Sequence, residues 1–203
     1  MSIGDLGDYS IPTHMPYTMW EQSSSPAEQI DEIISLLKPV QDKIIGLVDG
    51  NHELRIWKKT SLNPTKIIAN ELGVPNMGIN AYINLHINDE LHYDTFWIHG
   101  SRGGLPETAL RYAFYSGRAS DTDFFVMGHS HFFATREFTR YVFRYGKQVL
   151  KRTTGVRTAS YLIDPPYAKS KMYDLCYKGS SIIKVGSKNK TWSVDNSGEF
   201  KFE

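Results

Sequence analysis

Cysteine is almost absent from this sequence, with Cys176 the single one in 203 residues. One thiol excludes a disulfide within the chain and is typical of proteins from reducing compartments. Long apolar runs are also absent, since none approaches the roughly 20 residues of a membrane-spanning helix. The N-terminus has no basic segment followed by an apolar one, so no signal peptide is expected. We therefore predict a cytoplasmic location and no membrane partner.

Net charge is nearly absent as well, because 23 Lys and Arg residues stand against 22 Asp and Glu residues. A formal net charge of +1 gives the whole molecule no strong attraction to nucleic acid or to membranes. A length of 203 residues is enough for one domain with a substantial core. We predict a single domain over residues 1–203, with a strand-rich C-terminal part at 132–203. Nothing in the sequence indicates an oligomeric state.

Helical and strand patterns alternate early in the chain, and strand patterns dominate later. Helices are predicted from residue 26 to a stop at Pro39, directly after residue 51, at 64–72 and at 106–115. Strands are predicted at 1–3, 44–48, 80–98 (two strands), 124–127, 141–145, 181–185 and 191–194. Continuous apolar runs such as Ile44–Val48 are typical of strands buried on both faces. This pattern favours an α/β fold with strands layered between helices.

Chelating side chains follow apolar runs at four points of the chain. They are Asp5, Asn51, His99 and His129, and a glycine adjoins each of them. Ligands of open α/β sheets bind beyond the carboxyl ends of the strands, so the four strand ends favour one shared site. Carboxylate, amide oxygen and imidazole are suitable ligands for a divalent metal ion. An extended backbone would also place the rings of His129 and His131 on the same side.

Four short motifs resemble those of the calcineurin-like metallophosphoesterases. They are Gly-Asp-x-x-Asp at 4–8, Gly-Asn-His-Glu at 50–53, His-Gly at 99–100 and Gly-His-x-His at 128–131. The resemblance covers residues 3–132 and implies the four-layer α-β-β-α sandwich of that family. A further motif of the family, Asp-x-His, is missing, because only four residues precede Asp5. The implied sandwich therefore lacks its first strand.

The resemblance also implies which residues hold metal. Asp5 would bridge two divalent ions, with Mn, Fe, Zn and Ni all suited to the mixed oxygen and nitrogen ligands. Asn51, His99 and His129 would complete one metal site, and His131 would belong to the other. A metal-activated hydroxide would then attack the phosphorus of a phosphate monoester or diester.

Residues beside these ligands have implied roles of their own. His52 would be the catalytic residue that protonates the leaving oxygen or stabilises it as an imidazolium. Glu53 would orient a ligand or His52, and Arg55 would contact a phosphate oxygen of the substrate. Asp8 is expected beside the site. Substitution of Asp8 or His14 as a metal ligand is an alternative that we do not favour.

The missing Asp-x-His motif leaves three interpretations open. The chain could be a fragment, a natural variant that works with one metal ion, or a catalytically impaired relative that still binds metal. The second metal site would otherwise keep only Asp5 and His131, which is a poor set of ligands for a divalent ion.

The stretch from Arg136 to Arg157 combines basic and aromatic residues and adds a further alternative. Such residues can grip a nucleic-acid strand, which would make the protein a nuclease acting on DNA or RNA with the same site. Alternation alone also explains the stretch as a hairpin with its apolar side in and its charged side out. The hairpin is the preferred interpretation.

Overall fold

The structure is a computed structural model and describes residues 1–11, 22–100, 106–161 and 179–196. Cys176 and His14 lie outside the described residues. The helices are α1 (Pro26–Leu37), α2 (Asn51–Thr60), α3 (Pro64–Leu72) and α4 (Pro106–Tyr115), and a 3-10 helix, Lys38–Lys43, follows α1. The strands are β1 (Asn80–His86), β2 (His92–Ile98), β3 (Phe124–Met127), β4 (Ala134–Arg144), β5 (Lys147–Arg157), β6 (Ile182–Val185) and β7 (Trp192–Asp195).

The fold is mixed α/β, as the sequence predicts, and the chain divides into two compact units. The first consists of Met1–Ala81 with Ile98–Ser101, and the second of Tyr82–Trp97 with Arg102–Glu203. The prediction of one domain over residues 1–203 stays a prediction. None of the helices in the described part of the chain combines the length and the apolar character needed to cross a membrane.

Helix α1 of the first unit begins with the capping box that the sequence predicts. The Ser25 hydroxyl accepts from the backbone N–H of Glu28, and the Glu28 carboxylate accepts from the backbone N–H of Ser25 at 2.7 Å. Pro26 at the first helical position loses no hydrogen bond there. Apolar residues of α1 pack against a buried cluster made by Leu47, Ile68, Ala69 and Leu72. This packing fixes α1 over the segment that leads into the site.

The predicted strands at 1–3 and 44–48 are reduced to single bridges. Leu47 forms one parallel bridge with Ser2 and another with Asn76, and its N–H and carbonyl both bond to the segment at 75–77. The parallel direction nevertheless brings the loop at Asp5 and the start of α2 at Asn51 to the same end of the bridged segments.

The second unit contains a five-stranded sheet in the order β1-β2-β3-β5-β4 and a separate pair, β6-β7. Strand β3 pairs with β5 in parallel, and β5 pairs with β4 in antiparallel fashion, so the sheet is mixed. All four residues of β3 are buried, as expected for a central strand. Helix α4 packs on the sheet through Phe114, whose ring stacks on that of Phe138 with centroids 4.4 Å apart.

Strands β4 and β5 form the predicted hairpin, but its faces differ from the prediction. β3 pairs with only Thr154–Arg157 of β5, so residues 139–152 extend beyond β3 as a two-stranded segment, here called the β-ribbon. Within the β-ribbon, Tyr141 and Phe143 are 68% and 79% exposed. Their neighbours Arg140 and Arg144 lie on the opposite face, because side chains alternate along a strand. The expected arrangement of apolar side in and charged side out is therefore wrong in this part.

Candidate metal centre

A buried carboxylate fixes the backbone around Asp5. Glu53, near the start of α2, is fully buried and accepts backbone N–H groups from Asp5 at 3.0 Å, Leu6 at 2.7 Å and Gly50 at 2.9 Å. Burial, and next the charge of Asp5, raise the pKa of Glu53. The three donors compensate this buried group and bind the loop of Asp5 to the first turn of α2.

Two glycines allow these backbone segments to approach closely. A Cβ on Gly4 would lie 2.4 Å from the nitrogen of Gly50, and a Cβ on Gly50 would lie 2.1 Å from Asp5 Oδ1. Gly4 also has a φ of +87°, a conformation that glycine adopts without strain. Asp5 follows with a φ of 50°, which aspartate tolerates better than most residues. The glycines next to the predicted ligands therefore have the close-approach role that the sequence suggests.

His99 joins Asp5 and Asn51 in the first unit. Its Nδ1 lies 2.7 Å from the carbonyl of Ile3, and a carbonyl only accepts, so Nδ1 carries the proton. Its Nε2 lies 3.0 Å from Asp5 Oδ2 and 2.9 Å from Asn51 Oδ1. In the neutral ring this Nε2 presents a lone pair to a carboxylate oxygen. That arrangement is stable only with a second proton on the ring or a cation between the atoms.

The spacing of these atoms matches a metal coordination sphere. Ligands about 2.1 Å from a cation and at right angles to each other lie about 3.0 Å apart. Both distances from His99 Nε2 fit this geometry. Burial opposes ionisation of Asp5, but the imidazoles of His99 and His52 outweigh it and lower the pKa of Asp5. Asp5 and His99 thus offer an anionic oxygen and an imidazole nitrogen that a divalent ion could share.

His52 lies beside this cluster and is oriented by Asp8. Its Nδ1 lies 3.0 Å from Asp8 Oδ1, its backbone N–H donates to Asp5 Oδ1 at 2.9 Å, and its Nε2 lies 3.8 Å from Asp5 Oδ2. Burial alone would lower the pKa of His52, but the hydrogen bond to Asp8 and the charge of Asp5 raise it above its ordinary value. The hydrogen bond from His52 also lowers the pKa of Asp8 to about 2.

The Asp8 loop is held by residues that the sequence did not reveal. Gln29 of α1 accepts the backbone N–H groups of Asp8 and Tyr9, each at 3.1 Å. Ser10 donates to Asp8 Oδ2 at 2.7 Å, and Gln22 donates to the same oxygen. In the sequence Gln29 is only a polar residue of an amphipathic helix, so no signal could have identified it.

Two buried polar groups near the site have no partner among the described residues. One is Nη1 of Arg55 and the other is the hydroxyl of Tyr9. Arg55 is close enough to His52 that its charge acts to lower the pKa of His52. Tyr9 is fully buried, and burial, with the charges of Glu53 and Asp5, raises the pKa of its phenol. Sequence reasoning selected Arg55 and missed Tyr9.

The two remaining predicted ligands, His129 and His131, belong to the second unit. They follow β3 and are partly buried. Their φ angles are 73° and 62°, and the N–H of Ser130 bonds back to the carbonyl of Gly128 at 3.0 Å. The backbone is therefore not extended here, and the argument that places both rings on one side is wrong. The assignment of His129 and His131 as ligands stays a prediction.

Comparison with family models, with curated proteins and with solved structures gives no match to this chain. The resemblance to the calcineurin-like metallophosphoesterases therefore depends on the four motifs alone. What the geometry itself establishes is an Asp, Asn and His cluster with an adjacent, carboxylate-oriented histidine.

Proposed function

We propose that this protein is a divalent-metal-dependent phosphoesterase of the calcineurin-like type, acting on phosphate monoesters or diesters. One observation carries the proposal. His99 donates through Nδ1 to Ile3 and turns Nε2 toward two oxygens at 3.0 and 2.9 Å. Nε2 in this position either carries a second proton or shares a cation with the two oxygens, and metal-binding histidines regularly have the second hydrogen bond that Nδ1 makes here.

In this proposal Asp5, Asn51 and His99 hold the first ion, and a bound divalent ion supplies Lewis acidity and an ionised water for phosphoryl transfer. His129 completes this site, and His131 belongs to a second one, as in the family. The finer elements of the proposal are the four-layer sandwich, a cytoplasmic location and the choice between one ion and two. Manganese, iron, zinc and nickel are the candidate ions, since all accept mixed oxygen and nitrogen ligands.

His52 is the proposed general acid. A histidine whose pKa is raised is protonated over more of the neutral range and can give its proton to the leaving oxygen. Asp8 holds Nδ1 at 3.0 Å and thereby directs Nε2 away from the Asp8 loop. Arg55, whose charge acts on His52, is the proposed contact to a phosphate oxygen of the substrate.

Metal binding is tested first, by isothermal titration with Mn²⁺ and by metal analysis of the purified protein. Asp5→Asn and His99→Gln should each weaken Mn²⁺ binding by at least about tenfold, because replacing even an outer partner of a metal ligand costs about 10- to 100-fold. His92→Gln replaces an exposed histidine of β2 and should leave binding unchanged. His131→Gln should lower the stoichiometry if a second ion binds.

Catalysis is tested with p-nitrophenyl phosphate and bis-p-nitrophenyl phosphate in the presence of Mn²⁺. His52→Asn should keep Mn²⁺ affinity and lose about 10²- to 10⁴-fold in kcat, the usual contribution of a general acid. Turnover that is unaffected by His52→Asn and Asp5→Asn would contradict the proposal.

A non-catalytic metal-binding protein is the second candidate, because the cluster of Asp5, Asn51 and His99 accounts for metal binding without requiring turnover. Its signature is stoichiometric Mn²⁺ binding that requires Asp5 and His99, together with no hydrolysis of either ester. Absence of Mn²⁺ binding would exclude both candidates.

A further inference from the structure

The β-ribbon is a projecting element whose two faces differ in chemistry. Eleven consecutive pairs join β4 to β5, from Ala134↔Arg157 to Arg144↔Lys147, while β3 reaches only the last four residues of β5. Tyr145 and Gly146, with φ angles of 52° and 72°, close the turn as a two-residue type I′ connection. The register is therefore fixed, and the positions of the side chains on each face follow from it.

One face of the β-ribbon is aromatic and open. Tyr141 and Leu150 lie directly opposite each other in the register, and Phe143 lies two residues further along the same face. These three side chains are 68%, 59% and 79% exposed. Single exposed apolar side chains are common on protein surfaces, but several of them grouped on one face indicate an interaction surface.

The β-ribbon also carries a positive charge excess. Five basic residues and no acidic residue lie within 139–152: Arg140, Arg144, Lys147, Lys151 and Arg152. Two carboxylates lie against them. Asp121 is 2.7 Å from Arg144, 3.2 Å from Lys151 and 3.6 Å from Arg140, and Glu137 is 3.4 Å from Arg152. Within the described ranges, five cations against two anions give the β-ribbon a charge excess of three.

We propose that the β-ribbon binds single-stranded nucleic acid, with bases stacked on Tyr141 and Phe143 and phosphates paired with the surrounding cations. Unpaired bases stack on exposed aromatic rings, and a basic groove or edge tracks the backbone. Tyr141 and Phe143 are about 7 Å apart along the strand, twice the 3.4 Å rise of stacked bases. Each ring can therefore take a base of a partly extended strand.

The end of the β-ribbon argues against insertion into a lipid surface. The turn holds the fully exposed Tyr145 between Arg144 and Lys147. A turn inserted into the apolar layer of a membrane would carry these two cations with it, and charged groups are costly there. A second copy of the chain is disfavoured because two such ribbons would bring like charges together. Single-stranded nucleic acid offers planar bases to the aromatic side chains and phosphates to the basic ones.

The experiment is fluorescence anisotropy with the full chain and a labelled mixed-sequence 20-mer of single-stranded DNA, in EDTA so that no hydrolysis occurs. Tyr141→Ala/Phe143→Ala should weaken binding at least about tenfold, since each base–aromatic stack contributes substantially. Tyr141→Trp/Phe143→Trp keeps the stacking surfaces and should bind within about threefold of the unaltered protein. Lys147→Gln should reduce the slope of log Kd against log salt concentration by about 0.7, the value for one phosphate contact.

Tyr112→Ala is the matched control, because Tyr112 is a half-exposed aromatic residue of α4 outside the β-ribbon. The affinity of this variant for DNA should equal that of the unaltered protein. Circular dichroism of every variant verifies folding. Equal DNA affinity of the double alanine variant and the unaltered protein would overturn the proposal. Two other results for the double alanine variant would also overturn it: the variant binds DNA normally but no longer binds phosphatidylserine vesicles, or it binds DNA normally but a dimer of the protein dissociates in sedimentation measurements. The assay in EDTA does not depend on phosphoesterase activity, so the two proposals fail separately.

Discussion

At the scale of single residues, Glu53 shows how an interior charge can organise a site. A buried carboxylate without donors would cost several kcal/mol, yet this one accepts three backbone N–H groups. Those groups belong to the loop of Asp5 and to the residue before α2. The position of Asp5 relative to Asn51 therefore depends on a residue that need not contact a metal ion at all.

Replacing Glu53 by glutamine tests this role. Glutamine keeps the shape, but its amide nitrogen would face at least one of the three N–H donors. We expect a loss of about 1–3 kcal/mol in the free energy of unfolding, the usual cost of an unsatisfied buried group. Urea denaturation measures the loss. Glu71→Gln, at an exposed position of α3, should stay within about 0.5 kcal/mol. Equal stability of Glu53→Gln and Glu71→Gln would show that Glu53 does not hold the loop.

The pair of Asp8 and His52 predicts a pH dependence in the metal-free protein. The lowered pKa of Asp8, about 2, gives stability that is present above its ordinary pKa of about 4 and lost as the pH falls toward 2. The raised pKa of His52 gives stability that is present below about 6.5 and lost as the pH rises through the folded value.

Asp8→Asn should therefore lower the pKa of His52, measured by proton NMR titration of the imidazole in EDTA. The difference in unfolding free energy between Asp8→Asn and the unaltered protein should be largest between about pH 4 and 6.5. A His52 titration that does not move in Asp8→Asn would mean that the two side chains are not paired in solution.

At the scale of elements, local signals predicted the helices well. Ser25 with Glu28 marks the start of α1, and Gly73, with a φ of 67°, ends α3 where the sequence predicts. Caps are contacts between residues a few positions apart, so they can be read without knowing the fold. The strands that depend on distant partners were less predictable. Leu47 illustrates this, since the strand predicted at 44–48 is reduced to its isolated bridges with Ser2 and Asn76.

The faces of the β-ribbon were unpredictable for a related reason. Alternation shows that Tyr141 and Arg140 lie on opposite faces, but only the packing decides which face is covered. Here Asp121 attracts Arg140, Arg144 and Lys151 to its side. The aromatic side is consequently the open one.

Ser25→Ala tests the predicted cap of α1. Loss of the hydroxyl that accepts the Glu28 N–H should reduce the unfolding free energy by about 1 kcal/mol. Ser23→Ala, at an exposed serine two residues earlier, is the control and should have no measurable effect. Thermal denaturation of both variants makes the comparison, and similar midpoints would show that the capping box does not contribute.

At the scale of the whole molecule, the predictable residues of the candidate site are those that directly follow an apolar run. Asp5, Asn51 and His99 were selected because each adjoins a glycine after an apolar run, and the structure brings these three together. Gln29 and Tyr9 were missed, because their roles arise from the approach of α1 and of a loop. Such contacts between distant segments leave no local pattern in the sequence.

If the proposed metal site is correct, metal binding should stabilise the molecule through the first unit, which holds the three proposed ligands Asp5, Asn51 and His99. Mn²⁺ at 100 times its Kd should add about 2.7 kcal/mol to the unfolding free energy by mass action. Scanning calorimetry should show a higher Tm with Mn²⁺, reversed by EDTA. Asp5→Asn should abolish the increase. An increase that persists in Asp5→Asn would place the bound ion elsewhere.

The turn of the β-ribbon has a consequence for the thermal stability of the protein. Tyr145 has a φ of 52° and is fully exposed, a left-handed backbone that costs an ordinary residue about 1 kcal/mol or more and asparagine less. Tyr145→Asn should therefore raise the Tm, because Asn-Gly is the preferred pair in such turns. If the same substitution weakens the binding of single-stranded DNA, the tyrosine contributes to recognition and lowers the thermal stability of the protein at this position. If DNA binding is unaffected, Tyr145 is a position at which the thermal stability of the protein can be increased without loss of binding.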